Sequence, residues 1–156
     1  MEEVHLIRIA ISDAEKLLLL QKEAFKDLLD KYHDFETNPG NESLEKIEAK
    51  LKQKETYFYY ICADSAIVGA VRVVDRKDGS RKRVAPIFIM KDYRGKGFAQ
   101  KAFYQIEKIH GQNHWKLDTI LQEAGNCYLY EKLGYQKTGE IETINEKMDI
   151  VYFEKD

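Results

Sequence analysis

Residues 87–103 read IFIMKDYRGKGFAQKAF, and this stretch decides the fold. It passes from an apolar strand, through a polar turn with two glycines, into a segment whose apolar side chains recur at helical spacing. Gly95 and Gly97 allow consecutive backbone amides to turn toward one point, and the amino terminus of the following helix adds partial positive charge there. With Arg94 and Lys96 beside the glycines, the turn predicts a binding site for a phosphate or pyrophosphate group.

Two familiar phosphate-binding loops fit this turn poorly. A P-loop requires Gly-Lys followed by serine or threonine, whereas Lys96 is followed by Gly97. A dinucleotide-binding loop needs a third glycine where this chain has Gln100, although Asp118 lies at a suitable distance downstream for a ribose contact. The strands before the turn also form a predicted antiparallel meander, not a first strand–helix–strand unit. A nicotinamide cofactor therefore stays open only as the weaker alternative.

Hydrophobic periodicity around this stretch predicts one α/β (α+β) domain over residues 1–156. Its order is that of a three-layer fold, a mixed and mostly antiparallel sheet with helices on both faces. Pro86 lacks an amide hydrogen and predicts either a bulge in its strand or a side that is unpaired there. The predicted strands cover residues 5–11, 56–63, 66–74, 83–90, 115–121, 135–141 and 148–154. Four helices are predicted. The first begins after a Ser12–Glu15 capping box, the second covers 42–54 with Asn41 as its cap, the third begins after Gly97, and the fourth covers 126–133.

Composition limits the partners of this chain. The 25 basic and 27 acidic side chains are interspersed, which argues against nucleic acid as a partner. Cys62 and Cys127 lie far apart with no CxxC spacing, and no HExxH is present, so we predict neither a disulfide framework nor a metal site. The acidic start at residues 1–3 and the short aliphatic run at 17–20 predict a cytoplasmic protein with no membrane segment.

Two segments of the chain resemble one enzyme family. The stretch at 87–103 resembles motif A of the GNAT superfamily, the general-control-related N-acetyltransferases, whose Arg/Gln-x-x-Gly-x-Gly/Ala signature is matched by Arg94, Gly97 and Ala99. Residues 126–140, NCYLYEKLGYQKTGE, resemble motif B of the same family. The predicted order of strands and the two amino-terminal helices also agree with the family, so the resemblance covers nearly the whole chain.

The resemblance implies a fold, a cosubstrate and a set of site residues. The fold is GNAT-like, with two parallel central strands that splay apart, and the cosubstrate is acetyl-CoA. Tyr130 matches the tyrosine that often serves as general acid in the family. The residues that the resemblance assigns to the cofactor are Ile87, Phe88, Ile89, Arg94, Gly95, Lys96, Gly97, Phe98, Ala99 and Asn126.

The implied function is an acetyl-CoA-dependent N-acetyltransferase acting on a primary amine of a small molecule. The amine attacks the thioester directly through a tetrahedral intermediate, with a backbone amide near Phe88 or Ile89 stabilising the oxyanion. The general base is open between Asp118, Glu36 and Asp34, and the acceptor between a polyamine, an amino sugar, an amino acid and a protein amino terminus. A homodimer is a further expectation from the family. The alternative function is a non-catalytic module that binds or senses CoA.

Overall fold

Seven strands form one sheet in the computed structural model of the chain, which describes residues 3–156. Their order is β1-β2-β3-β4-β5-β7-β6, and every neighbouring pair is antiparallel except β4 and β5. The predicted mixed and mostly antiparallel sheet is thereby confirmed. The strands are β1 (Val4–Arg8), β2 (Thr56–Ala63), β3 (Ala66–Val74), β4 (Lys82–Ile89), β5 (Trp115–Ile120), β6 (Gln136–Asn145) and β7 (Met148–Lys155).

Four helices cover the two faces of the sheet. Because side chains alternate along a strand, Tyr59 packs with Phe103 of α3 on one face, whereas Phe58 packs with Leu17 of α1 and Ile47 of α2 on the other. The predicted three layers follow from this alternation. Among the described residues, no helix has the length and apolar character needed to cross a membrane. The helices are α1 (Ala14–Tyr32), α2 (Leu44–Lys52), α3 (Phe98–His110) and α4 (Ala124–Lys132).

The first two helices begin differently from the predicted capping patterns. Ser12 lies in a short 3-10 turn before α1, and the N-cap residue is Asp13, whose side chain makes no capping hydrogen bond. The predicted capping box with Glu15 is therefore wrong. The N-cap of α2 is Ser43, whose hydroxyl accepts an amide of the first turn, and not Asn41, which belongs to a separate 3-10 turn.

A bulge interrupts the pairing of β3 with β4 where Pro86 was predicted to cause one. Val71 pairs with Ile87, and Val73 pairs with Val84, so two residues of β4 lie opposite Arg72 alone. Proline cannot donate to a strand ladder, which explains why the extra residue lies here. The bulge places Arg72 opposite residues 85–86, on the face that α1 and α2 cover.

The parallel strands β4 and β5 separate soon after they meet. They pair through Lys82 with Trp115 and through Arg83 with Lys116, and no further residue pair joins them. Beyond Arg83 the facing edges of β4 and β5 are not paired with each other. The splayed central strands that the family resemblance implies are thus present, and the gap opens toward the carboxyl ends of both strands.

Candidate active site

A cavity of about 380 Å³ lies at the gap between β4 and β5. Ile87 of β4, Thr119 of β5, and Asn126 and Tyr130 of α4 all line it. The fold therefore brings together three residues that the sequence assigned to the site, Ile87, Asn126 and Tyr130. The end of α1, the loop after it, α2 and strands β3, β6 and β7 supply the rest of the wall.

Tyr130 lines this cavity, and its ring is closely packed. The ring makes edge contacts with Phe103, Tyr135 and Phe153 at centroid distances of 5.7, 6.2 and 5.9 Å. The side chain is 7% exposed, and its hydroxyl makes no hydrogen bond within residues 3–156. Burial, and then the nearby Asp118 carboxylate, raises the pKa of Tyr130 well above its ordinary value, so the hydroxyl stays protonated at neutral pH.

Asn126 lies one helical turn before Tyr130 and faces the same cavity. Its side-chain amide donates to the hydroxyl of Thr119 at 3.5 Å. The start of α4 is attached to the end of α1, because the Glu123 carboxylate accepts hydrogen bonds from the Tyr32 hydroxyl and from Lys31. These contacts hold the amino end of α4, and with it Asn126, against the carboxyl end of β5.

The glycine turn holds a row of amides without backbone partners. Gly95 and Gly97 have φ angles of 76° and 82°, a region that favours glycine, and Gly97 is the N-cap of α3. In the described part of the chain, the amides of residues 95–100 donate to no backbone carbonyl. Together with the amino terminus of α3, they form the positive concavity that the sequence predicted for a phosphate group.

The Arg94 side chain braces the turn. Its Nε donates to the carbonyl of Ile89 at 2.8 Å, and its Nη2 donates to the carbonyl of Ala24 in α1 at 2.7 Å. The sequence had suggested a charge at the rim of the phosphate site. The guanidinium links the end of β4, the turn and α1, while the neighbouring amides donate to no backbone carbonyl in the described part of the chain. Its contact with a phosphate group stays a prediction.

The backbone of β4 presents alternate amides to the gap. A Cβ on Gly69 would lie 2.0 Å from the carbonyl oxygen of Phe88, so that carbonyl points toward β3. The amide of Met90 likewise donates to Val68 of β3 at 2.7 Å. Since polar groups of successive strand residues point to opposite sides, the amides of Ile87 and Ile89 face the gap. This alternation favours Ile87 and Ile89 over Phe88 as donors to a bound ligand.

Two of the three candidate bases lie on the cavity wall. Asp118 lines it and accepts a hydrogen bond from Arg83 at 3.2 Å. Asp34 also lines it, but its carboxylate accepts the amide of Thr37 at 3.0 Å and the Thr37 hydroxyl. Glu36 is exposed and does not line the cavity. Within residues 3–156, no cluster of three or more His, Cys, Asp or Glu side chains is arranged to hold a metal ion.

A charged wall on the α2 side of the cavity was not predicted from the sequence. Four basic residues line the cavity, and these are Lys46, Lys50, Arg72 and Arg83. The one local signal for this wall was a single charge inside the apolar strand AIVGAVRVV at residues 66–74. Because the four residues come from α2, β3 and β4, only the folded chain brings them together.

A strand gap lies beside a turn of amides without backbone partners, with a buried tyrosine at its edge, and this arrangement has room for an extended ligand that carries phosphate groups. The sequence model of the Acetyltransferase (GNAT) domain family matches residues 23–156. The chain belongs to this family of acetyltransferases, as its two motifs indicated. Membership in the family sets aside the nicotinamide alternative.

Individual relatives agree with this assignment. An acetyltransferase of Yersinia enterocolitica is 30% identical over 128 residues, which cover 80% of this chain and 82% of the relative. The spermidine N-acetyltransferase of Vibrio cholerae, solved in complex with CoA and spermine, superposes with a TM-score of 0.76 at 16% identity, covering 97% and 94% of the two chains. The PaiA N-acetyltransferase of Thermoplasma acidophilum, solved with coenzyme A, gives a TM-score of 0.67 at 16% identity over 99% of each chain. These likenesses confirm the GNAT fold.

Proposed function

We propose that this acetyltransferase transfers the acetyl group of acetyl-CoA to the primary amine of a small molecule. The observation that carries the proposal is the gap between β4 and β5, which opens into a cavity lined by Tyr130 and Asn126. The gap can receive an extended chain, and the cavity beyond it can hold a compact acceptor. A thioester and an amine can therefore meet beside the Tyr130 hydroxyl.

The residues along the gap fit the parts of CoA. The unpaired amides of residues 95–99 suit a pyrophosphate, because consecutive amides and the start of α3 concentrate positive charge. The amides of Ile87 and Ile89 suit the polar groups of a pantetheine arm, since a strand edge without a partner needs hydrogen bonds. Asn126, at the far side of the cavity, is proposed to contact the same arm.

The chemistry follows from the protonation states of these groups. Acetyl-CoA supplies a thioester whose carbonyl carbon a neutral amine attacks. The amide of Ile87 or Ile89 donates to the carbonyl oxygen as negative charge develops there. As the carbon–sulfur bond breaks, the Tyr130 hydroxyl, whose pKa is raised by burial, donates its proton to the sulfur. The nitrogen of the new amide loses its extra proton, which restores the Tyr130 hydroxyl directly or through water. Asp118 accepts the proton of the arriving ammonium, directly or through water, since Asp34 is held by its own turn.

The other expectations for the chain keep weaker support. The cytoplasm remains the proposed compartment, and both cysteines, buried and unpaired in the structure, suit a reducing environment. A homodimer remains a prediction from the family.

Thermal unfolding in the presence of acetyl-CoA, CoA and NADH tests donor binding. A ligand at one hundred times its Kd stabilises a protein by about 2.7 kcal/mol. We expect both CoA forms to raise the Tm by several degrees and NADH to leave it unchanged. Gly97→Ala should weaken the effect, because alanine is strained at a φ of 82°. Gly79→Ala is the matched control, since Gly79 has a φ of 88° with open space around it in a distant turn.

Release of the CoA thiol with a panel of amines tests the transfer itself. Acetylation of at least one amine, at a rate proportional to enzyme, is the expected result. Stabilisation by acetyl-CoA without acetylation of any amine would favour the non-catalytic module instead. Stabilisation by NADH alone would contradict the proposed donor.

A further inference from the structure

The charges that line the cavity do not all pair with one another. Four basic and four acidic residues line it. Lys50 lies 2.7 Å from the Glu42 carboxylate, and Arg83 lies 3.2 Å from that of Asp118. The two remaining basic residues, Lys46 and Arg72, make no ion pair within residues 3–156. Two lining carboxylates, Asp34 and Glu142, likewise make no ion pair there, but both accept hydrogen bonds from neutral groups. The two unpaired cations lie together on the α2 and β3 side of the cavity.

Arg72 is the buried member of this pair. Its side chain is among the buried polar groups, with the residue 8% exposed. In the described part of the chain, one of its five N–H groups has an acceptor, namely Nη1, which donates to the carbonyl of Ala85 at 2.8 Å. The Nε group is buried and has no acceptor. A buried guanidinium with so few hydrogen-bond acceptors destabilises the folded protein unless an anion binds to it.

The helix above Arg72 adds a second accessible charge. Lys46 of α2 is exposed and lines the same cavity. Glu42 on this side is engaged by Lys50 and by the side-chain amide of Gln21 at 2.9 Å. Glu42 and Glu55 act on Arg72 from a distance, but within residues 3–156 neither forms an ion pair or a hydrogen bond with it. The pKa of Arg72 is lowered, first by burial and then by Arg83, and the Glu42 and Glu55 carboxylates offset this only in part.

We propose that Arg72 and Lys46 bind an anionic group of the acceptor, so that the enzyme acetylates amines that also carry a carboxylate or a phosphate. This inference rests on the proposed function. In this arrangement the amine of the acceptor lies at Asp118 and Tyr130, and the anionic group of the acceptor lies at Arg72. Arg72 on β3 and Asp118 on β5 are two strand spacings apart, roughly 10 Å or more, so a single small molecule can reach both.

The same wall disfavours a different class of acceptor. A polyamine such as spermine carries only positive charges, and it would place one of them beside a buried cation without an anion. A guanidinium, in contrast, holds a carboxylate or phosphate with two parallel hydrogen bonds. The cavity of this chain is therefore selective for a zwitterionic amine.

Matched acceptors with and without the anionic group test this inference. The pairs are 6-aminohexanoate with hexylamine, leucine with isoamylamine, and phosphoethanolamine with ethanolamine, and spermine is added as a polycation. With acetyl-CoA saturating, we expect kcat/KM for the anionic member of at least one pair to exceed that of its partner by about tenfold or more. Comparing this kcat/KM ratio between the carboxylate pairs and the phosphate pair then shows which of the two anions the site prefers.

Variants of the cationic wall assign the preference to its residues. Arg72→Lys keeps the charge but loses the planar fork, and Lys46→Met removes an exposed charge with little risk to folding. Each should reduce the preference for the anionic member several-fold. Lys52→Met is the matched control, since Lys52 is an exposed lysine of α2 that does not line the cavity. Equal or better turnover of the partners that lack the anionic group, in wild type, would overturn the inference and leave the proposed function intact.

A binding measurement keeps the inference testable if no amine is acetylated. Calorimetric titration of the CoA-bound protein with hexanoate and with inorganic phosphate reports the anion site directly. Binding that Arg72→Lys and Lys46→Met weaken, and Lys52→Met does not, would support the site even without turnover. Failure of both anions to bind wild type, or binding that is equally strong in all variants, would overturn it.

Discussion

Replacing Tyr130 by phenylalanine removes a single oxygen atom from the proposed general acid. The edge contacts of the ring with Phe103, Tyr135 and Phe153 are kept, and no hydrogen bond within residues 3–156 is lost. General acid catalysis contributes about 100- to 10,000-fold to a rate, so we expect kcat to fall by that factor. The free energy of unfolding should stay within about 1 kcal/mol of wild type, since the hydroxyl has no protein partner to lose within residues 3–156.

Two measurements on the same samples separate catalysis from stability. CoA thiol release with saturating acetyl-CoA gives kcat, and urea unfolding gives the free energy of unfolding. Tyr128→Phe is the matched control, because Tyr128 lies on the same helix with 70% of its surface exposed. It should leave both quantities unchanged.

The proposed role of Tyr130 has a clear contrary result. A kcat for Tyr130→Phe within about threefold of wild type would mean that the sulfur is protonated by another group. A loss of several kcal/mol in stability would instead mean that the hydroxyl has a structural partner. Unchanged binding of acetyl-CoA in the same variant is required for either interpretation, and a titration with acetyl-CoA establishes it.

Three further substitutions probe the framework of the site. Gly69→Ala would place a Cβ 2.0 Å from the Phe88 carbonyl oxygen, so we expect urea unfolding to report a loss of about 1–3 kcal/mol or more, together with weaker acetyl-CoA binding. Arg94→Met leaves two backbone carbonyls without their donor; calorimetry should report a higher Kd for CoA, and an unchanged Kd would contradict the bracing role. Burial holds the pKa of His110 below its usual 6.5, so the ring is neutral in the folded protein. Below about pH 6.5 the unfolded chain binds a proton at this ring and the folded protein does not, so the free energy of unfolding decreases; above that pH it does not depend on this group. The free energy of unfolding of His110→Gln should therefore fall less than that of wild type between about pH 7 and pH 5. Urea titrations that give an equal decrease for both proteins would refute this explanation.

Local features of the sequence were enough to predict the donor side of the site. Gly95 and Gly97 adopt positive φ angles, and α3 follows directly, because turn chemistry and helical periodicity are encoded by adjacent residues. The pair Asn126 and Tyr130 shares one face of α4 for the same reason. Pro86 located the bulge, since its missing amide is a property of the residue itself.

The acceptor side was much less predictable, because it is assembled from distant parts of the chain. Arg72 and Asp118 meet one cavity only through the order of the strands. Helix caps were also predicted wrongly where several nearby residues could serve as the cap. Ser43, and not Asn41, caps α2. The strand β6 extends to Asn145, beyond the predicted end at residue 141, because nearly all of it is exposed and no apolar alternation marks its end.

The two residue pairs between β4 and β5 also have a mechanical consequence. They join two panels of the sheet, β1–β4 and β5–β7, at one end only, near Lys82 and Arg83. Away from that end the two panels are linked through the helices, since Lys31 and Tyr32 of α1 donate to Glu123 at the start of α4. We expect a donor bound in the gap to form hydrogen bonds with both open strand edges and to stiffen the panels relative to each other. We therefore expect the backbone amides of Ile87 and Ile89 to exchange their hydrogens more slowly once CoA is bound, and departure of the spent donor to require the panels to spread.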